Sequence, residues 1–277
     1  MKRIVTVQDI SCVGKCSLTV ALPIISAMGV ETAIIPTAVL STHTMFQNFT
    51  CRDLTEEIVP ICNHWEQEGI GFDAVYTGYL GSKEQIAIVA DLFDRFKTEK
   101  NVIVMDPAMA DNGKMYPAFD ASFAKEMGTL CRHADMVLPN ITEASFMTGM
   151  EYRETYDEAY VKEMLCRLAE LGCKIAILTG VGFREGMTGV MGYDKEKDEF
   201  FYYEHEKLPV SYHGTGDIYA STFVGALMNN KTWKEAIKIA ADYTSECIRV
   251  TMNDKDGRWY GVNFEEAIPQ LLSALGK

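Results

Sequence analysis

Apolar positions along the chain fall in short aliphatic runs separated by stretches of helical length, and this alternation dictates the architecture. Ile4–Val7 predicts a first strand; Ser17–Met28, mostly apolar and closed by Gly29, predicts a helix; Glu31–Ile35 returns to strand character. A polar loop is expected from Ser41 to Arg52, ahead of a helix over Leu54–Gln67. Ala74–Tyr76, Val102–Met105, Met136–Leu138 and Ile175–Leu178 are runs of the buried-strand type, with helical segments at Glu84–Phe96, Phe119–Arg132 and Asp157–Leu171 between them. Repeated strand-helix-strand order predicts a mostly parallel sheet with helices on both faces. Met187–Tyr193 and Glu199–Glu204, joined by the charged turn Asp194–Asp198, predict an antiparallel hairpin on the sheet edge. Helices near Ile218–Met228, Trp233–Met252 and Phe264–Leu275 close the chain, and with no repeat or linker a single α/β domain over residues 1–277 is expected.

Composition narrows the partners. A hydrophobic fraction of 48% with 23% charged residues excludes a disordered chain, and a net charge of −13 argues against nucleic acid or an anionic membrane as partner. An anionic ligand must therefore be held by backbone amides, a few Lys or Arg groups, or Mg²⁺. The eight cysteines show no C-x-x-C pair or Cys/His ligand spacing, which points away from zinc and disulfides and toward reduced thiols in the cytoplasm. The apolar stretch after Met1-Lys2-Arg3 is too short for a signal peptide, and no run reaches the length of a membrane span.

Ligands of such sheets bind beyond the carboxyl ends of the strands, and the residues found there are polar. Val102–Met105 runs into Asp106-Pro107, Met136–Leu138 into Pro139-Asn140-Ile141-Thr142-Glu143, and Ile175–Leu178 into Thr179-Gly180. Each has a structural explanation too: Asp-Pro starts turns, Asn140 or Thr142 can cap a helix with Glu143 in its first turn, and Thr-Gly is a simple strand exit. The segment Tyr212-His213-Gly214-Thr215-Gly216-Asp217 precedes an apolar helix, so two glycines open the backbone to an anion, the helix start adds its positive dipole, and Asp217 can accept a proton from a hydroxyl. Convergence of these residues on one edge favours a shared anion or Mg²⁺ site over separate coincidences. Gly14-Lys15-Cys16-Ser17 looks like a P-loop ending, but Asp9 stands where the first glycine belongs and Cys16 replaces the hydroxyl residue.

With these motifs in hand the sequence resembles the pyridoxal kinase family of the ribokinase superfamily, over nearly its whole length. Gly214-Thr215-Gly216-Asp217 matches the C-terminal signature and Asn140-Ile141-Thr142-Glu143 the N-x-x-E motif; Ser41-Thr42-His43-Thr44 is similar to the vitamin-binding S-x-H-T loop, and Thr77-Gly78-Tyr79-Leu80-Gly81-Ser82 to the [ST]-G-Y-L-G-S segment. The resemblance implies a ribokinase-like three-layer α/β/α sandwich that phosphorylates the 5′-hydroxymethyl group of pyridoxal, pyridoxine and pyridoxamine, with ATP as co-substrate. Asp217 would be the base and the amides of Gly214, Thr215 and Gly216 the anion hole. Asp106, Asn140 and Glu143 would hold Mg²⁺ and the nucleotide phosphates, Glu143 through water, and Thr179 would contact the phosphate tail. His43, Thr44 and Tyr79 would line the pyridine pocket, and either Asp9 or Ser11 would meet the ring.

A homodimer is implied as well, while monovalent-cation dependence stays open. His213 precedes the glycine motif where a pyrimidine-kinase-like branch that also accepts pyridoxal carries Cys, which counts against a covalent hemithioacetal there. The competing readings are a hydroxymethylpyrimidine kinase of thiamine synthesis and a non-catalytic vitamin B6 carrier. Arg258-Trp259-Tyr260-Gly261 reads either as a cover for a nucleotide edge or as a surface anchor.

Overall fold

The computed structural model describes residues Met1–Lys277. Strand β1 (Arg3–Ser11) is longer than its apolar run predicts, because Gln8 and Asp9 stay in the strand and are buried. It is followed by α1 (Leu18–Ala27), β2 (Glu31–Leu40), the short β3 (Cys51–Asp53) at the end of the expected polar loop, and α2 (Thr55–Gln67). Then come β4 (Ala74–Thr77), α3 (Lys83–Phe96), β5 (Val102–Met105), a small hairpin of β6 (Ala110–Asp111) and β7 (Lys114–Met115), α4 (Ala121–Thr129) and β8 (Met136–Val137). The chain continues through α5 (Ile141–Thr148), α6 (Glu158–Glu170), β9 (Ile175–Thr179), β10 (Met187–Asp194) and β11 (Glu199–Glu206), and ends with α7 (Thr215–Met228), α8 (Trp233–Asn253) and α9 (Phe264–Leu275). No helix is long and apolar enough to cross a membrane. All eight cysteines are free thiols.

The chain groups into two compact units, Met1–Ala74 with Lys207–Lys277, and Val75–Glu206. In the first, β1 and β2 pair in parallel and β3 adds antiparallel to β2. Between the pairs Gln8↔Pro36 and Ile10↔Val39, β2 carries Thr37 and Ala38 while β1 carries only Asp9. The bulge therefore lies on β2, where Thr37 and Ala38 together oppose the single residue Asp9 of β1, and Pro36 marks the place because it cannot donate to the ladder. Ile4, Val5, Val7, Ile24, Ile25 and Phe223 are fully buried, and α7 packs against α1 and α8.

In the second unit β5, β8 and β9 run in parallel, and β10 and β11 form the expected antiparallel edge hairpin against β9. Parallel pairing forces the chain to cross back between strands, so their carboxyl ends, with Asp106, Asn140 and Thr179 just beyond or at them, come together on one side. The predicted helix over Phe119–Arg132 starts later, at Ala121, because Asp120 caps it by accepting from the Phe123 N–H at 2.9 Å, and it tightens into a 3₁₀ turn at Leu130–His133.

Candidate active site

Within the first unit, the start of α7 is built around Gly214, which adopts φ 83°; a Cβ there would stand 2.2 Å from the Lys15 carbonyl oxygen, so only glycine fits. Helix α7 begins at Thr215, earlier than its apolar run suggests, and Asp217 therefore sits in the first turn. The Thr215 hydroxyl donates to the Tyr212 carbonyl at 3.1 Å and fixes the entry to the helix. Gly216 is exposed, and a Cβ on it would meet nothing within 4 Å. First-turn N–H groups have no intrahelical acceptor and the helix dipole is positive here, so this end of α7 suits an anion.

The Asp217 carboxylate accepts from the backbone N–H of Ser17 through Oδ2 at 3.0 Å. Burial pushes its pKa up to about 7, against the Ser17 hydrogen bond that favours the charged form, and the charge of Asp9 adds to the rise. Asp9 is only 4% exposed; Oδ1 accepts from the Ser17 hydroxyl at 2.6 Å and Oδ2 from the Ser11 hydroxyl at 2.9 Å. Burial raises its pKa too, in spite of both serines. The neighbouring Cys16 thiol is driven upward by burial and by Asp217 and Asp9, so it stays protonated and is no nucleophile. The ammonium of Lys15 is held by Glu265 Oε2 at 2.9 Å, which disposes of the P-loop likeness on structural grounds.

His43 is 2% exposed and both of its ring nitrogens are engaged. Nδ1 accepts from the Met45 N–H at 3.2 Å, which assigns the ring proton to Nε2, 3.1 Å from the Tyr260 carbonyl oxygen. Its ring packs at 4.3 Å from His213 and 4.9 Å from Phe46, and Trp259 covers Phe46 at 4.5 Å. Burial lowers the pKa of His43, and burial with the proximity of His43 lowers that of His213 to about 4, so His213 is neutral at pH 7. The imidazole thus anchors the loop that presents the exposed Thr44. Trp259 and Tyr260 pack over this loop.

Within the second unit, Asn140 caps α5 in a reciprocal box: its Oδ1 accepts from the Glu143 N–H at 2.9 Å, and Glu143 Oε2 accepts from the Asn140 N–H at 2.9 Å. Glu143 Oε1 also accepts from Met109 at 3.0 Å and Ala110 at 3.4 Å, and the Asn140 amide donates to the Ala110 carbonyl at 2.8 Å. The two side chains therefore fix the Met109–Ala110 backbone that follows Asp106. Burial pushes Glu143 up to about 7, against these three N–H bonds. Thr179 pairs with Asn140 through an isolated bridge, and its N–H donates to the Pro139 carbonyl at 3.0 Å. The buried Asp106 receives the Ala108 N–H on Oδ1 at 3.3 Å, and Tyr79 lies on Phe119 with centroids 5.4 Å apart.

Asp106, Asn140, Glu143 and Thr179 are thus gathered in one unit, and Asp9, Ser11, His43, Thr44 and Gly214–Asp217 in the other. An all-oxygen donor set suits a hard cation such as Mg²⁺ that keeps its own waters. The Glu143 carboxylate, taken up by three N–H groups, fits contact through such waters and the loop it holds. Sequence reasoning passed over Ser17. Its one signal was a serine at a helix start, the usual sign of a cap, yet Ser17 makes no capping bond and adopts φ 50°, ψ −133°, a conformation that costs a non-glycine residue on the order of 1–3 kcal/mol.

Comparison with known proteins gives this geometry a context. Residues 21–261 match the model of a family described as phosphomethylpyrimidine kinase. The chain is 29% identical to the pyridoxine kinase of Bacillus subtilis over 187 residues, 66% of each protein, and 28% identical to a candidate pyridoxal kinase of Schizosaccharomyces pombe over 200 residues, 69% of this chain and 57% of that one. The chain therefore matches less than two thirds of either relative's length. Among solved structures, a candidate phosphomethylpyrimidine kinase of Bacteroides thetaiotaomicron, in a crystal form with pyridoxal, superposes with a TM-score of 0.92 at 36% identity, covering 98% of this chain and 95% of that one.

Proposed function

Since the chain belongs to the phosphomethylpyrimidine kinase family and, within the ribokinase superfamily, to the pyridoxal kinases, we propose that it phosphorylates the 5′-hydroxymethyl group of pyridoxal, pyridoxine and pyridoxamine with ATP. The observation that carries this reading is Asp217 in the first turn of α7, ionising near pH 7 beside the glycine-opened amides. A base with that proton affinity takes the hydroxyl proton at neutral pH and still returns it to water. The amides of Gly214, Thr215 and Gly216 stabilise negative charge growing on the transferred phosphoryl group.

Asp106 and Glu143 would hold Mg²⁺ through its waters, and the ion would neutralise charge on the nucleotide phosphates. Asn140 fixes the loop beside them, and Thr179 offers its hydroxyl to the phosphate tail. Thr44, on the loop anchored by His43, and Ser11, held by Asp9, contribute to vitamin binding, and so does the ring of Tyr79. The enzyme works in the cytoplasm as a homodimer.

The test is phosphate transfer from ATP and Mg²⁺ to pyridoxal, pyridoxine, pyridoxamine and hydroxymethylpyrimidine in parallel, scored by product mass, with K⁺ and Na⁺ compared. Conversion of the B6 vitamers is expected. Exclusive conversion of the pyrimidine would move the protein to thiamine synthesis, and tight pyridoxal phosphate binding without any turnover would make it a carrier.

A further inference from the structure

Ser17 joins two carboxylates that the chemistry above treats separately. Its hydroxyl donates to Asp9 at 2.6 Å and its N–H to Asp217 at 3.0 Å. A serine at the head of a helix ordinarily turns its hydroxyl onto the next turn's N–H groups, and Ser17 forgoes that bond on α1. Its backbone also holds a positive φ of 50° that an L-residue seldom adopts and that persists only where the surroundings over-determine it. The surroundings here are Asp9 on one side and Asp217 on the other. Asp9 is itself fixed, opposite the bulge of β2, buried, and bound on its second oxygen by Ser11.

We propose that Asp9 and Ser17 form a support that orients the base: Ser17 pins Oδ2 of Asp217 and leaves Oδ1 for the acceptor hydroxyl, while Asp9 holds Ser17 in the backbone conformation this requires. Both are positioning residues, and the inference rests on the assignment of Asp217 as the base. Cys16 faces both carboxylates, and His43 and Cys51 are the other titratable groups that sense Asp9. No lysine or arginine is among the groups that act on Asp217, and Lys15, next to Cys16 in the sequence, is tied to Glu265. The negative charge of Asp9 therefore acts on Asp217 without a counter-ion of its own, and removing it makes Asp217 a stronger acid.

The experiment compares kcat, KM and pH profiles of full-length Ser17→Ala, Ser17→Gly and Asp9→Asn with pyridoxal, ATP and Mg²⁺. Ser17→Ala and Ser17→Gly keep the N–H but lose the tether, and kcat is expected to fall about 10- to 100-fold with KM for ATP unchanged. Glycine accepts φ 50° freely, so an equal loss in both variants assigns the effect to the missing hydroxyl and not to backbone strain, and Ser17→Gly carries the test should the alanine variant not fold. Asp9→Asn retains an oxygen for Ser17 and removes the charge, and the acid limb of its kcat profile is expected to move to lower pH. Wild-type kcat in both Ser17 variants, or an unmoved acid limb in Asp9→Asn, overturns the proposal. If Asp217→Asn itself retains turnover, the base assignment has failed; if it is inactive while the support variants match wild type, only this inference has.

Discussion

Ser17 and Asp217 are 200 residues apart in sequence, and the backbone N–H of one donates to the carboxylate of the other at 3.0 Å. This single bond opposes the burial that raises Asp217 to about 7, and it does not cancel it. Asp217 is therefore half-ionised near neutrality. As the pH falls through 7 the carboxylate takes up a proton and can no longer accept one from substrate, so kcat should decline on the acid side with a midpoint near that value. Asp217→Asn removes the base and keeps the shape: kcat should drop by about 10² to 10⁴, with ATP affinity measured by calorimetry close to wild type. Turnover within tenfold of wild type would show that Asp217 is not the base.

The glycines on either side of Thr215 differ in kind, and their alanine variants should fail differently. At Gly214 a Cβ would strike the Lys15 carbonyl oxygen at 2.2 Å with φ at 83°, so Gly214→Ala should lower the melting temperature and activity together. At Gly216 a Cβ enters open space. Gly216→Ala should therefore melt at or above the wild-type temperature, because alanine favours a helix by up to ~1 kcal/mol over glycine, while kcat falls as the methyl group occupies ground meant for an anion. Wild-type kcat in Gly216→Ala would argue that no phosphoryl group approaches that amide.

How far the sequence revealed these features follows from how local their causes are. The capping box of Asn140 and Glu143 and the signature at Gly214–Asp217 are short-range patterns, visible as spacing, and strand-helix alternation gave the parallel sheet and the edge hairpin. The bulge of β2 opposite Asp9 arises from how the two strands pair, and in β1 the polar pair Gln8-Asp9 read only as the strand's end. The role of His43 depends on Tyr260, 217 positions away, whose carbonyl oxygen its Nε2 meets at 3.1 Å. Ser17 read only as the first residue of a helix, because nothing nearby in sequence shows that its hydroxyl is claimed by Asp9.

Trp259 is 60% exposed, yet it packs on Phe46 at 4.5 Å beside the buried His43. An aromatic contact of this kind contributes about 0.5–1.5 kcal/mol beyond its area. Trp259→Ala should leave the fold intact and loosen the loop that presents Thr44, raising KM for pyridoxal up to about tenfold with KM for ATP unchanged. Steady-state kinetics with each substrate varied in turn reads this directly. A rise confined to the KM for ATP would restore the nucleotide-cover reading of Trp259.

Glu143 separates a structural role from a metal-binding one. Glutamine at this position keeps one acceptor oxygen and turns an NH₂ group toward backbone donors at Asn140 or at Met109 and Ala110, leaving at least one buried N–H without an acceptor. Glu143→Gln should lose on the order of 1–3 kcal/mol of stability near pH 6 or below. The pH dependence adds a second sign. Burial raises the folded-state pKa of Glu143 to about 7 from an ordinary value of 4.5, so the folded protein holds a proton that the unfolded chain has released. That contribution is fully present below pH 4.5 and is lost as the pH climbs through 7. The wild type should therefore lose stability across that window more steeply than Glu143→Gln in urea titrations at a series of pH values, and the gap between the two should narrow toward alkaline pH. Wild-type stability at every pH, with only a weakened response to Mg²⁺ in the kinase assay, would instead make Glu143 a ligand of the cation's shell and leave the Met109–Ala110 loop to stand without it.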